Sequence, residues 1–555
     1  FFKEGGGKKR SSAEPTSEQD WGWIDSLRFT LDGEELTFEF IHPDDDNEDD
    51  QTVIRMPLPE PVAPQSAISI HCRFYSKLPR VFERTGFTED DFYMIAQWYP
   101  KIGVWENGQW NCHQFHANSE FYADFGHYRM TITVPSDYII GANAPLVKKE
   151  IQDSVTTYHY IQKNVIDAVW TASPHFTEMK QTVMSGDRSV EVTYLFSPGR
   201  EPMAERYRAC VPAMFQYFYE WIGEYPYPNF TIVDVPLGEE LASGGMEYPT
   251  LVTTGSYFGP YWMNRLFRHS FLEVVTFHEF AHNYFQSMLA SNEFEEPWLD
   301  EGFASYIEHR ALERYFNAPG KIGSMFNMWG ATYTSMDYHR SSYLRHPDGG
   351  TVAGKSWTIP RGFYQTAFYS KPVLILTTLE RYLGQATMDK ILSTYFQRWR
   401  FKHPKTQDFI DVVHDVSGRD MQWFFDQFIY TAKIVDYEVA DIASEPANAS
   451  GWIHSVVSVR NNGEAVMPVS ICFRFENGDS LITEWDGKES ERKFEFHASS
   501  KIVSCRIDPE KINVMDTRWS NNFLSVESFY AGITRYTLRF QYWMQSLLMN
   551  LAAFI

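Results

Sequence analysis

The sequence predicts a multidomain α+β protein, and three observations carry that prediction. Its 555 residues exceed what one hydrophobic core organises, so three or four domains are expected. Period-2 alternation occupies roughly the first 200 residues, yields to helical periodicity up to about 435, and then returns. Hydrophobic residues make up 43% and aromatic residues 17%, enough for large packed cores.

In order, residues 1–20 are rich in Gly, Ser, Lys and Glu and are expected to form a mobile tail. Residues 21–200 form an N-terminal β domain. Leu27 to Phe40 reads as two strands around the Asp32-Gly33 turn, and Ala67–Cys72 and Tyr128–Val134 alternate in the same way. The acidic run from His42 to Gln51 lacks the glycine that a calcium loop of the EF-hand kind needs, so a solvated loop is expected. Residues 201–435 form a helical domain, with helices over Met203–Tyr219, Leu374–Leu383 and Met388–Arg398 among others. In residues 436–520, Val456–Gly463 and Met467–Phe475 have the strand pattern of a small β-sandwich.

Within the helical domain, His278-Glu279-Phe280-Ala281-His282 is followed, after eighteen intervening residues, by Glu301. Two histidines four apart stand on one helix face, so both rings can reach one metal ion. Glu301 adds a third ligand and leaves a fourth position open, the mark of a catalytic zinc site. One zinc ion per chain is expected, held by His278, His282 and Glu301, with Glu279 beside it as general base. Asn283 and Asp300 flank these residues and either orient the ligands or lie on the helix surface.

With these residues the chain resembles the aminopeptidase-N-type zinc metallopeptidases, the gluzincin family that includes leukotriene hydrolase. The resemblance spans about residues 25 to 515. Gly244-Gly245-Met246-Glu247-Tyr248-Pro249 is similar to that family's Gly-x-Met-Glu-Asn motif, and Tyr225–Pro236 to the strand before it. Phe368-Tyr369-Ser370-Lys371-Pro372 is similar to its Tyr-Glu-Lys-Gly segment. Tyr248 stands where the family usually has Asn, and Ser370 and Pro372 stand for Glu and Gly. These departures leave the metal ligands intact and bear on the shape of the pocket. The resemblance implies a saddle-shaped β domain, a thermolysin-like catalytic domain, and hydrolysis of the N-terminal peptide bond of oligopeptides by a zinc-activated water. It further implies that Tyr369 donates to the oxyanion and that Glu247, set among Gly244, Gly245 and Met246, binds the substrate's free amine. Glu120 is the candidate for a second amine contact, and Tyr364 is a further pocket candidate. Two alternatives stay open: a zinc endopeptidase of the same fold, and a peptidase-fold subunit of a membrane assembly with catalysis secondary.

Composition narrows the partners. With 49 basic against 72 acidic residues, net −23, the chain has no basic face for nucleic acid. Its five cysteines are widely spread and contain no Cys-x-x-Cys pair. Buried thiols are expected, although Cys472 and Cys505 share a segment and could face each other. Residues 521–555 end in a stretch without charge from Phe540 to Ile555. Phe540, Trp543, Met544, Leu547, Leu548, Leu551, Phe554 and Ile555 share one face of a helix there. This amphipathic tail is expected to project after residue 523 and to meet a membrane surface or a partner subunit. The chain does not begin with Met, so a signal peptide or anchor would precede residue 1. A membrane-associated, extracytoplasmic location is the expectation, with a cytoplasmic one left open.

Overall fold

The structure is a computed structural model. It describes residues 20–80, 84–116, 118–119, 121–236, 245–255, 270–317, 326–328, 331–447, 451–527 and 530–552.

Antiparallel strands dominate the N-terminal region, as the alternation predicts. Gly126–Pro135 pairs along its length with Val155–Val165, burying Met130 and Ile132 while Arg129 and Thr131 face out. Trp23–Leu31 pairs with Glu34–Leu36 across the Asp32-Gly33 turn and with Ile70–Lys77 on its other edge. In the acidic loop Asp45, Asp46, Glu48 and Asp49 are exposed as expected, but Asp44 is not. The side chain of Asp44 is only 6% exposed. It accepts a hydrogen bond from the backbone N–H of Gln114 (2.7 Å) and lies 2.6 Å from His113 Nδ1 and 3.0 Å from His116 Nε2. His113 in turn lies 3.4 Å from Glu295 and packs between Phe294 and Trp357, while the His116 ring stacks on Trp357 at 4.6 Å. This latch joins the β region to a loop of the helical region.

A second junction is a four-stranded sheet that runs across residue 200. Its order is Thr177–Ser185, Arg188–Phe196, Asn229–Asp234, Leu251–Thr254; the first pair is antiparallel and the others parallel. The helix α1 (Ala204–Trp221) lies between the second and third strands in the chain. Parallel strands are covered on both faces, and Leu251–Thr254 is accordingly buried throughout. Next come α2 (Phe271–Phe285) and α3 (Glu301–Phe316). Nearly every residue of α2 is buried, so its apolar residues surround the whole helix and α1 can pack against it: Phe215 and Phe218 lie 4.4 and 4.9 Å from Phe280, ring to ring. Helix α4 (Ser335–Tyr343) starts with a capping box of Thr334 and Asp337. Helices α5 (Lys371–Leu383), α6 (Gln385–Trp399), α7 (Thr406–Ser417) and α8 (Gln422–Phe428) complete the helical region.

Two sheets then form the C-terminal β unit. One holds Tyr437–Ala447, Trp452–Asn461 and Glu491–Ala498; the other holds Ser480–Trp485, Val469–Phe475, Ile502–Ile507 and Phe523–Ser525. Phe473 and Phe496 meet between them at 4.7 Å. Arg340 of α4 donates to the carbonyl of Asp516 at 3.0 Å, which ties this unit to the helical region. Cys472 stands opposite Arg506, and Cys505 opposite Phe473, so the two thiols point to opposite faces and do not pair. Cys210 and Cys505 are buried, whereas Cys72, Cys112 and Cys472 are half-buried.

The tail begins later than expected. Phe523–Ser525 is a strand of the C-terminal sheet, because its backbone pairs with Ile502–Ile507. Helix α9 spans Tyr530–Ala552. Its side chains from 533 to 545 are exposed, including Ile533, Tyr536, Leu538, Phe540 and Trp543. Leu547, Leu548, Leu551, Phe554 and Ile555 lie outside the residues whose side chains are described. Among the described residues, no helix is long and apolar enough to cross a membrane.

Candidate metal centre and active site

The one-turn spacing on α2 brings His278 Nε2 and His282 Nε2 to 3.1 Å. Glu301, the first residue of α3, places Oε2 at 3.3 Å from the first and 3.4 Å from the second. Donors about 2.0–2.1 Å from a tetrahedral zinc lie roughly 3.3 Å from one another, so this triangle has the edge such an ion requires. Glu301 Oε2 is buried with no hydrogen-bond partner, as a ligand atom should be. The three residues fit the ion, and they converge because α2 and α3 pack face to face.

Around them lies a layer of carboxylates. Asp300 is fully buried and accepts from His282 Nδ1, which fixes that ring with Nε2 toward the site. Of the two roles open to Asp300, ligand orientation is thus the one the geometry supports. Glu308, two turns along α3 from Glu301, lies 3.4 Å from His278 Nδ1 in the corresponding position. Asn283 acts elsewhere. Its Oδ1 accepts from the Thr250 N–H at 2.8 Å and its Nδ2 donates to the Glu279 carbonyl, joining the Glu247 segment to α2.

Glu279 lies on α2 next to His278, its carboxyl packed against the backbone of Gly245. A Cβ at position 245 would overlap that carboxyl, so in this chain Gly245 is what lets Glu279 lie so close. Burial, the largest influence on Glu279, pushes its pKa up to about 8, with Glu247 adding to the rise and His278 opposing it. A carboxyl of raised pKa holds an accepted proton more firmly than an ordinary one.

Tyr369 approaches from the other side. Its hydroxyl donates to Glu301 Oε1, and its ring stacks against His278 at 5.8 Å. Burial raises the phenol well above its usual range, so it remains a donor. It sits in a π-helical turn, Gln365–Ser370, a geometry that inserts an extra residue and re-aims side chains. Gly302 allows α3 to approach this turn, since a Cβ there would stand 2.7 Å from Pro372. Tyr364 is half-buried, 6.2 Å from Tyr369 ring to ring.

Glu247 is buried at the junction with the β region. It shares a small cavity with Met246, Tyr248, Gln97, Lys101 and Gln286. Carboxyl oxygens of Glu247, Glu293 and Asp300 all fall within 4.8 Å of one another. Glu120 and Gly244 lie outside the described residues. Glu293, Glu308 and Gln97 are additions that sequence reasoning missed. For Glu308 a signal existed, its position seven residues after Glu301 on one helix face; Glu293 and Gln97 sit in segments without periodicity.

The departures from the motif have local reasons. Tyr248 is buried and its hydroxyl donates to the Arg84 carbonyl, so it anchors the β region instead of facing the metal ligands. Ser370 Oγ lies 3.3 Å from His339 Nδ1 of α4. Pro372 occupies the first turn of α5, where no N–H bond is lost.

Residues 208–428 match the peptidase family M1 domain. The matched stretch contains His278, His282 and Glu301. Human glutamyl aminopeptidase is 25% identical over 300 residues, 52% of this chain and 30% of that protein. Aminopeptidase M1-A of Oryza sativa subsp. japonica is 21% identical over 428 residues, 74% of this chain and 45% of its own. The chain thus spans less than half the length of these M1 relatives. In fold it is similar to Legionella pneumophila aminopeptidase A solved with aspartic acid (TM-score 0.61, 13% identity, 90% of this chain and 56% of that one). It is also similar to the M1 zinc metallopeptidase of Deinococcus radiodurans (TM-score 0.53, 16% identity, 74% of this chain and 84% of that one). Both share the multidomain mixed α/β architecture.

Proposed function

We propose that this chain is an M1-type zinc-dependent aminopeptidase that removes the N-terminal residue of oligopeptides. The observation that carries the reading is the buried carboxyl of Glu247, within 4.8 Å of Asp300, which in turn accepts from His282 of the His278–His282–Glu301 triangle. A fixed negative charge at that place binds a free ammonium and so measures one residue from the chain end. When bound, zinc supplies a Lewis acid that polarises the substrate carbonyl and acidifies a water to a pKa near 7. Glu279 takes the proton of the attacking water at its carboxylate and delivers it to the leaving amine. Tyr369 donates its hydroxyl proton in a hydrogen bond to the developing oxyanion, exchanging Glu301 for substrate. Asp300 and Glu308 hold the two imidazoles in place throughout.

Steady-state kinetics on an aminoacyl fluorogenic substrate, with and without an N-acetyl block, test the assignment. Glu247→Ala is expected to raise KM about 10- to 100-fold, the scale of a hydrogen bond to a charged group, and to narrow the preference for free over blocked substrates. Equal cleavage of blocked and free peptides by the wild type would replace this reading with an endopeptidase.

We further propose that α9 docks the enzyme on a membrane surface or partner subunit, at an extracytoplasmic location. The exposed apolar residues from Ile533 to Met544 support this, as do Arg535 and Arg539 on the same helix. Deleting 530–555, which spares the Phe523–Ser525 strand, is expected to leave peptidase activity intact and to abolish flotation with anionic liposomes. Equal flotation of both proteins would refute lipid binding by this helix.

A further inference from the structure

The C-terminal β unit carries another group of imidazole and carboxylate side chains whose donor atoms lie close together. Strand pairing sets Glu445 opposite His454 and His454 opposite His497. Residues opposite one another on antiparallel strands share a face, and Glu495, two positions from His497, lies on that face as well. The row therefore crosses all three strands, Tyr437–Ala447, Trp452–Asn461 and Glu491–Ala498. The His454 and His497 rings stack at 4.6 Å. His454 Nε2 lies 3.4 Å from Glu495 Oε2, and its Nδ1 lies 3.7 Å from Glu445 Oε1. One donor atom from each of His454, His497 and Glu495 falls within 4.8 Å of the others.

We propose that His454, His497 and Glu495 bind a divalent transition-metal ion. Two imidazoles and one carboxylate suit Zn²⁺, Ni²⁺ or Cu²⁺, whereas Ca²⁺ and Mg²⁺ prefer all-oxygen sets. Glu445 stands behind His454 as Asp300 stands behind His282, a carboxylate facing the nitrogen that the metal does not use. His497 is exposed and His454 half-buried, so small rotations of the two rings bring the donors to coordination distance. The strands beneath them are already fixed by backbone pairing. The open face of the sheet leaves the remaining positions to water, so the ion exchanges freely and binds more weakly than one at the buried site. Its effect is to staple three strands of one sheet.

The test uses the full chain loaded with one equivalent of zinc. Equilibrium dialysis against excess ZnCl₂, followed by elemental analysis, is expected to show a second ion per chain. Nickel titration by calorimetry is expected to show one exothermic site, and the melting temperature is expected to rise by about 2 °C at a hundredfold excess over Kd. His497→Ala and His454→Ala should weaken this site at least tenfold, with the first zinc and the peptidase activity unchanged. Glu495→Gln should weaken it less. His497→Gln, which keeps the polarity and much of the bulk, guards against a change in sheet stability alone. A stoichiometry that stays at one overturns the proposal, and so does wild-type binding of the second ion by either alanine variant.

Discussion

Glu279→Gln is expected to keep its metal and to lose turnover by about 10²-fold or more, the usual scale for a positioned general base. The replacement preserves the shape of a side chain that packs against Gly245 and leaves His278, His282 and Glu301 untouched. It removes the carboxylate proposed to accept the water's proton. Glu247 and the cavity beside it are unchanged, so KM should move by less than about threefold, and the loss should fall on kcat. Metal content by elemental analysis and kcat on a free aminoacyl substrate decide the matter together. A variant with full zinc and near wild-type kcat removes Glu279 from the reaction.

His282→Ala is expected to bring bound zinc from one per chain to background and peptidase activity with it. The ring supplies one corner of the ligand triangle, and its other nitrogen is committed to Asp300. The substitution also leaves Asp300 and Glu301 as buried carboxyls deprived of a partner. A lower melting temperature should accompany the loss of metal. Asp300→Asn separates the two effects: all three ligands remain, and metal affinity should fall about 10- to 100-fold. His282→Ala with a full complement of zinc would show that the triangle is not the metal site.

Much of this was legible because the residues concerned obey local periodicity. His278 and His282 are one helical turn apart, and Glu301 opens the next helix, so three ligands could be named before any fold was known. The layer behind them was hidden. Glu293 and Gln97 meet Glu247 or its cavity only after distant chain segments have folded over it. The π turn at Tyr369 breaks the period on which helix reading depends. Asp44 misled for another reason: a run of acidic residues is usually solvated, and its partners His113 and His116 lie some seventy residues away. Phe523–Ser525 is too short a strand to announce itself beside a long amphipathic helix.

The Asp44–His113–Glu295 latch has a thermodynamic consequence. Glu295 belongs to the loop that carries Glu293 and leads to Asp300 and Glu301, so docking the β region and ordering one wall of the site are linked equilibria. Any ligand that binds only the ordered wall must tighten the junction by the same free energy with which the junction tightens the ligand. The linkage depends on pH. Burial opposes charge on both Asp44 and His113, but their partners outweigh it, lowering the carboxyl pKa and raising that of the imidazole. The Asp44 contribution is therefore present above the ordinary carboxylate range and fades as pH falls through its lowered value. The His113 contribution is full below the ordinary imidazole value and fades as pH rises through its raised one. Between those limits the latch holds at full strength, and alkaline conditions weaken it while the sheet that spans residue 200 still joins the two regions.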